Sequence, residues 1–180
     1  LLNPASHMRG DLSNYREWTV PKRTGLGRRW LCAPLPRLKA AQRKVLHDIL
    51  EKLPLHPAAH GFIKGRGISS NAAQHVGTRI VVKIDLKSFF GQLTFPRVMG
   101  VFRSAGISWQ GARLLTLLCT HQPETGNHAR RHAVQGAPTS PMISNLACRR
   151  LDARMTGLAL RCEAVSPRYG DALSCTGHEA

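Results

Sequence analysis

Residues 79–86, Arg-Ile-Val-Val-Lys-Ile-Asp-Leu, constrain the fold more than any other stretch. Branched aliphatic side chains crowd a helix turn and suit a pleated strand, so this run is expected to be a central strand. Alternation puts Ile80, Val82, Ile84 and Leu86 on one face, and Val81, Lys83 and Asp85 on the other. The first face is wholly apolar and is expected to be core. The second ends in a carboxylate, which is costly beside a core unless it caps a turn or meets a cation. A lone strand-end aspartate more often caps the following turn, so Asp85 becomes a site only with a partner.

The neighbours of this strand follow from simple periodicities. Residues 20–30, Val-Pro-Lys-Arg-Thr-Gly-Leu-Gly-Arg-Arg-Trp, predict a strand, a glycine turn and a strand, carrying Lys22, Arg23, Arg28 and Arg29 at the tip. Leu38, Val45, Leu46, Ile49, Leu50 and Leu53 form an apolar stripe at helical spacing, stopped by Pro54. The glycines at 61, 65 and 67 match neither the Walker nor the dinucleotide pattern, and suit a loop near nucleic acid better. Thr94 is expected to cap a helix to about Ala105, and Ser108 one from Trp109 to Cys119. A third helix is expected from Thr139 or Ser140, with Pro141 in its first turn, to about Leu160. Its inward residues would be Ile143, Leu146, Leu151, Met155 and Leu158. Residues 167–174 read as a hairpin with Gly170-Asp171 at the tip. This order predicts an α+β domain, an antiparallel sheet with helices on one face.

Charge narrows the function. The chain has 26 Lys and Arg against 10 Asp and Glu, a net charge of +16 spread over its 180 residues. A folded domain this basic is expected to bind a polyanion, nucleic acid first, because each neutralised phosphate releases counterions. No apolar run is long enough to cross a membrane, and no basic amphipathic helix with an aromatic face is found, so no membrane partner is expected. Five widely spaced cysteines without a CxxC pair suit reduced thiols in a cytoplasmic protein. Cys119, His121, His128 and His132 lie close in sequence, but at irregular spacing for zinc.

Three segments fall in a telling order: Ile84-Asp85-Leu-Lys-Ser-Phe-Phe90, Gln135-Gly-Ala-Pro-Thr-Ser-Pro141 with Ser144-Asn145-Leu146, and Arg168-Tyr-Gly-Asp171. Before them come Val20-Pro-Lys-Arg with Gly25 and Arg28-Arg29, then Leu38-Lys with Gln42-Arg43, then His60-Gly-Phe through Asn71-Ala72 and His75. Taken together, from about Tyr15 to Gly177, the chain resembles bacterial reverse transcriptases of the retron and group II intron type. The resemblance implies a right-hand polymerase fold, with a fingers-like region over 1–78 and a palm-like region over 79–180. The palm would be an antiparallel sheet backed by helices.

It also implies an activity, RNA-directed DNA polymerisation by two-metal nucleotidyl transfer from a dNTP to a primer 3′-hydroxyl. Asp85, the carbonyl of Leu86, and Asp171 would hold two Mg²⁺ ions, with Asp85 and Asp171 catalytic. Lys22 and Arg28 would grip the triphosphate. Phe90, five residues after Asp85, would be the aromatic gate under the sugar; the plainer reading is a core phenylalanine, a role that fits Phe89 instead. Gln135 and Gly136 would lie by the incoming nucleotide and template, and Tyr169 by the primer end. Partners implied are an RNA template, a DNA primer, dNTPs and, for retron-type enzymes, a structured non-coding RNA and a role in phage defence.

The chain departs from the family at two points. The family box Tyr-x-Asp-Asp is here Tyr169-Gly-Asp171-Ala172, leaving one acid. The sequence opens on Leu1 and closes at Ala180, so it is expected to lack a thumb. The alternative reading is a truncated or degenerate relative that binds RNA without catalysis.

Overall fold

The computed structural model describes residues 14–21, 27–122 and 130–177. Strands β1 (Tyr15–Pro21) and β2 (Arg28–Pro34) pair antiparallel, with Tyr15 opposite Pro34 and Pro21 opposite Arg28. The hairpin is the one expected; its tip, with Lys22 and Arg23, lies outside the described residues. Helix α1 (Pro36–Asp48) opens on a proline, whose missing N–H is no loss in a first turn. A 3-10 turn, Leu50–Lys52, finishes it before Pro54.

Next come α2 (Ile68–Ala72), β3 (Ile80–Asp85), α3 (Phe89–Gln92), α4 (Phe95–Ser104) and α5 (Trp109–Cys119). Ser108 caps α5 as expected, accepting from Gly111 N at 3.2 Å. Thr94 precedes α4 but makes no side-chain cap. The chain ends in α6 (Ser140–Ala147), α7 (Arg149–Arg161), β4 (Ala164–Val165), β5 (Arg168–Tyr169) and β6 (Ala172–Gly177). The second sheet is antiparallel, ordered β3-β6-β4 with β5 also on β6. The architecture is thus α+β, as the element order predicts.

The main core joins Val45 and Leu50 to Leu93, Val98, Phe102, Ala112, Cys119, Ile143 and Leu146. It therefore draws on both sides of residue 78. Each large side chain sealed there contributes about 1.5–3 kcal/mol. A smaller cluster of Tyr15, Cys32, Val134 and Ala137, with Leu38 against it, roots the hairpin.

Beyond the missing Thr94 cap, two expectations fail, and for physical reasons. The apolar face of β3 is not core: Ile80, Val82 and Ile84 are 46%, 51% and 46% exposed. β3 is the outermost strand of its sheet, and no described helix packs along its length. The helix expected from 140 to 160 is two helices broken at Cys148, which takes φ −83° and ψ −4°. In α7 the buried residues are Asp152 and Ala159, while Leu158 is exposed. The face is turned from the one the leucines predict, because an arginine waits on that side.

That arginine is Arg168, wholly buried on β5. Its Nε and Nη2 donate to the two Asp152 carboxylate oxygens at 2.7 and 2.8 Å. Nη2 also donates to Asn145 Oδ1 at 3.1 Å, and Nη1 to the Gly170 carbonyl at 2.8 Å. Burial alone would push the guanidinium pKa down, but the bond and charge of Asp152 outweigh it and the net shift is upward. The break at Cys148 lets Asn145 of α6 and Asp152 of α7 meet the same fork.

A buried ion pair is costly to break, since one charge is left alone in a dry site. Asp152→Ala is expected to destabilise the fold by about 3–5 kcal/mol, read by urea denaturation. Arg168→Met with Asp152→Leu together is expected to cost less than Asp152→Ala alone.

Candidate active site

Asp85 is the last residue of β3, and its Cα pairs with Ala172, the first residue of β6. The two-residue turn before Ala172 is Gly170-Asp171, with Tyr169 paired to Ala172 across it. Gly170 takes φ +64°, the left-handed backbone that a hairpin with glycine first in its loop requires. The ladder continues one step beyond β3, where Leu86 N donates to the Asp171 carbonyl at 3.0 Å. The strand end and the hairpin tip therefore lie side by side, and Asp85 and Asp171 share one end of the sheet.

Both acids are exposed, and neither has a salt-bridge or side-chain hydrogen-bond partner among the described residues. In a chain of net charge +16, two carboxylates at one sheet end with no protein cation among the described residues are open to an outside one. The donors at this end are oxygens: two carboxylates and the Leu86 carbonyl. That set suits a hard divalent cation completed by water and phosphate oxygens. Among the described residues no group of three acids, histidines or cysteines stands together. Ala172 occupies the position facing Asp85, where a further carboxylate would complete such a group.

Around this pair the other expected residues fall as follows. Tyr169 is half-buried and lines a cleft of about 300 Å³ with Asn71, His75, Lys83 and Ser174. His75 spans to β6, its Nδ1 and Nε2 at 3.1 and 3.0 Å from Thr176 Oγ1 and Ser174 Oγ. Ser88, at φ +52°, turns the chain sharply after Asp85, and α3 follows at once. Phe89 is buried; Phe90 is half-buried against the main core, and the rings meet edge-on at 5.5 Å. Arg28 is exposed at the neck of the hairpin, its Nε donating to Thr19 Oγ1 at 2.8 Å.

Gln135 and Gly136 are held against that hairpin. Cys32 N donates to the Gln135 carbonyl at 3.1 Å. Gly136 takes φ +121°, and a Cβ there would stand 2.6 Å from the Cys32 carbonyl oxygen. A short stretch leads into this loop: His121 and His132 exchange both backbone bonds at 2.9 Å, and Ala133 N donates to Leu93 O at 2.9 Å.

The cysteine and histidines near 120–132 are otherwise engaged. Burial pushes the Cys119 thiol up to about 12. His121 Nε2 lies 2.7 Å from Glu17 Oε1, with its ring stacked on Tyr15 at 4.2 Å. His128 lies outside the described residues.

The sequence reading missed one clamp on the hairpin tip. Residues 58–62 run beside β5: Arg168 N donates to Ala58 O at 2.7 Å, and His60 N to Arg168 O at 2.8 Å. Asn145 Nδ2 donates to Gly61 O at 2.8 Å. A Cβ on Gly61 would stand 2.6 Å from Gly170 N. His60-Gly61-Phe62 and Asn145 were noted as motif residues, but nothing in their spacing tells that they touch.

Comparison with known proteins shows the family and the fold. The family model described as reverse transcriptase (RNA-dependent DNA polymerase) matches residues 20–171. This chain belongs to the reverse transcriptase family. Among similar reverse transcriptases, that of retron Mx162 from Myxococcus xanthus is 44% identical over 172 residues, 90% of this chain and 35% of the relative. That of retron Ec86 from Escherichia coli is 38% identical over 161 residues, 89% of this chain and 48% of the relative. The chain thus spans less than half the length of either. Among solved structures, telomerase from Candida albicans, in complex with a TWJ fragment of telomeric RNA, aligns with a TM-score of 0.58 at 11% identity. It covers 92% of this chain and 38% of the telomerase chain. The fold is that of polymerase fingers and palm. Reverse transcriptases generally use divalent metal ions.

Two outcomes follow. Ala172→Asp sets a second carboxylate opposite Asp85 and is expected to lower stability by about 0.2–1 kcal/mol in EDTA. Millimolar Mg²⁺ should then raise its melting temperature more than that of the unaltered chain. Gly136→Ala is expected to cost about 1–3 kcal/mol through strain and the clash with Cys32. Hydrogen exchange would report it as faster exchange at the Cys32 amide.

Proposed function

We propose that this chain carries the fingers and palm of an RNA-directed DNA polymerase, which transfers a nucleotidyl group from a dNTP to a primer 3′-hydroxyl on an RNA template. The observation that supports this most is the ladder bond from Leu86 N to the Asp171 carbonyl, which sets at one sheet end two acids with no ion-pair partner among the described residues. Asp85, the Leu86 carbonyl and Asp171 hold two Mg²⁺ ions in this reading. Bound there, magnesium would favour the 3′-oxyanion and offset charge on the triphosphate. Asp85 and Asp171 set the place at which the 3′-oxygen and α-phosphate must meet. Lys22 and Arg28 bind the triphosphate, Arg28 from the neck of the hairpin. Gln135 and Gly136 border the nucleotide because their loop is bonded to the same hairpin. Phe90, set beside the core, closes the sugar pocket against a 2′-hydroxyl. Tyr169 faces the primer end.

The net charge of +16 supports nucleic-acid partners, an RNA template and a DNA primer. Similarity to retron reverse transcriptases supports a structured RNA as a natural partner, and with it a part in phage defence. No described helix is long and apolar enough to cross a membrane. A cytoplasmic setting belongs to the same proposal.

A second reading rests on Ala172. With alanine facing Asp85, the chain would bind RNA, alone or in an RNA–DNA duplex, without catalysis. Primer extension on an RNA template with dNTPs and Mg²⁺ separates the two. Under the polymerase reading Asp85→Asn is expected to lower incorporation by about 10²-fold or more. Equal incorporation by Asp85→Asn would remove Asp85 from the site. Duplex binding with no incorporation, even after Ala172→Asp, would leave the binding reading.

A further inference from the structure

Phe62 is an outlier that the chemistry above leaves unused. Its φ is +61°, a backbone that bulky side chains rarely adopt and that glycine adopts freely. The residue is 48% exposed and belongs to neither core cluster, so the fold does not hold its ring for burial. The ring lies against Gly170: a Cβ built there would stand 3.5 and 3.6 Å from Phe62 Cε2 and Cζ. Gly170 immediately precedes Asp171.

The backbone under this ring is fixed on both sides. Asn145 Nδ2 holds the Gly61 carbonyl, and His60 N is bonded to Arg168 O. Gly61 itself packs on Gly170 N so closely that no Cβ would fit. These contacts over-determine the position of residue 62 and force its strained conformation. The result is an apolar ring displayed at the rim of the hairpin tip, one residue from a candidate acid.

We infer that Phe62 is a positioning residue whose ring packs on the 3′-terminal nucleotide of the primer strand. The inference rests on the polymerase reading, because only that reading brings a 3′ end to Asp85 and Asp171. The physical fit is direct. Every nucleotide offers a flat or apolar face to an aromatic ring, whatever its sequence, and such stacking holds single nucleotides in many nucleic-acid grooves. The ring sits on the turn that carries Asp171, so a nucleotide resting on it is indexed to the same rigid element as the acid. Placement of that kind is most of what a phosphoryl-transfer site supplies.

The test is a binding measurement on the 180-residue chain, independent of turnover. The probes are a fluorescein-labelled RNA–DNA hairpin with a recessed DNA 3′ end and the same hairpin with a blunt end. Phe62→Gly relieves the backbone strain, so its thermal stability is expected to match or exceed that of the unaltered chain. Its affinity for the recessed end is expected to fall about tenfold, with blunt-end affinity unchanged. Phe62→Tyr and Phe62→Trp are expected to stay within about twofold, and Phe62→Leu to lose most of the preference. Undiminished recessed-end binding by Phe62→Gly overturns the role of Phe62 while leaving the polymerase reading intact. Loss of the preference in Phe62→Tyr as large as in Phe62→Gly overturns it too, since the ring would then not be what matters. An unaltered chain that shows no preference for a recessed 3′ end sinks the polymerase reading, and this inference with it.

Discussion

Taking a guanidinium out of water is among the costlier acts a small domain performs, and here Arg168 is fully buried. The arrangement holds because the charge has a bidentate partner in Asp152 and two further acceptors, Asn145 and the Gly170 carbonyl. Its planar fork suits that task as a lysine's single ammonium would not. The backbone of the same residue is bonded to Ala58 and His60. One side chain and its peptide units thus tie α6, α7, the 58–62 segment and the tip hairpin together. Were this fork unpaired, the turn holding Asp171 would lose its direct side-chain tie to α7.

The rest of the site is built by backbones that approach closely. Gly61 meets Gly170, and Gly136 meets Cys32, each at a separation that excludes a Cβ. The first contact presses residues 58–62 against the acid-bearing turn. The second presses the loop of Gln135 against the β1–β2 hairpin. Two glycine contacts thus fix the tip turn and the Gln135 loop through main chain rather than through mobile side chains. Charge does the complementary work. Asp152 is consumed by an internal arginine, and Glu17 by His121, while Asp85 and Asp171 have no such partner among the described residues of a strongly basic chain.

Much of this was legible beforehand. The hairpin about residues 20–30, the strand ending at Asp85, the helices starting after 94 and 108, and the turn at Gly170-Asp171 were all read from alternation, helical stripes, proline and glycine. Those signals are local, and local geometry obeys them. The failures came where a neighbour decided the outcome. Ile80, Val82 and Ile84 alternate as a buried face does, yet β3 lies at a sheet edge and they face solvent. Leu151, Met155 and Leu158 marked an inward face for α7, but Asp152 took it because Arg168 lay there. Phe62 offered no signal at all, since a positive φ is imposed by packing and not announced by residue type.

The sequence by itself determined which chemical groups are present and in what order: a strand-end aspartate, a Gln-Gly loop, a Tyr-Gly-Asp turn and a large excess of positive charge. These are properties of a residue and its near neighbours. It also determined that Ala172 brings no carboxylate. Tertiary structure alone decided which acids are buried against a partner and which are exposed. Asp85, Asp152 and Asp171 are the same side chain, but one is buried against an arginine and the other two are exposed at a sheet end. That difference depends on desolvation and on partners distant in sequence, and those exist only once the chain has closed around Arg168.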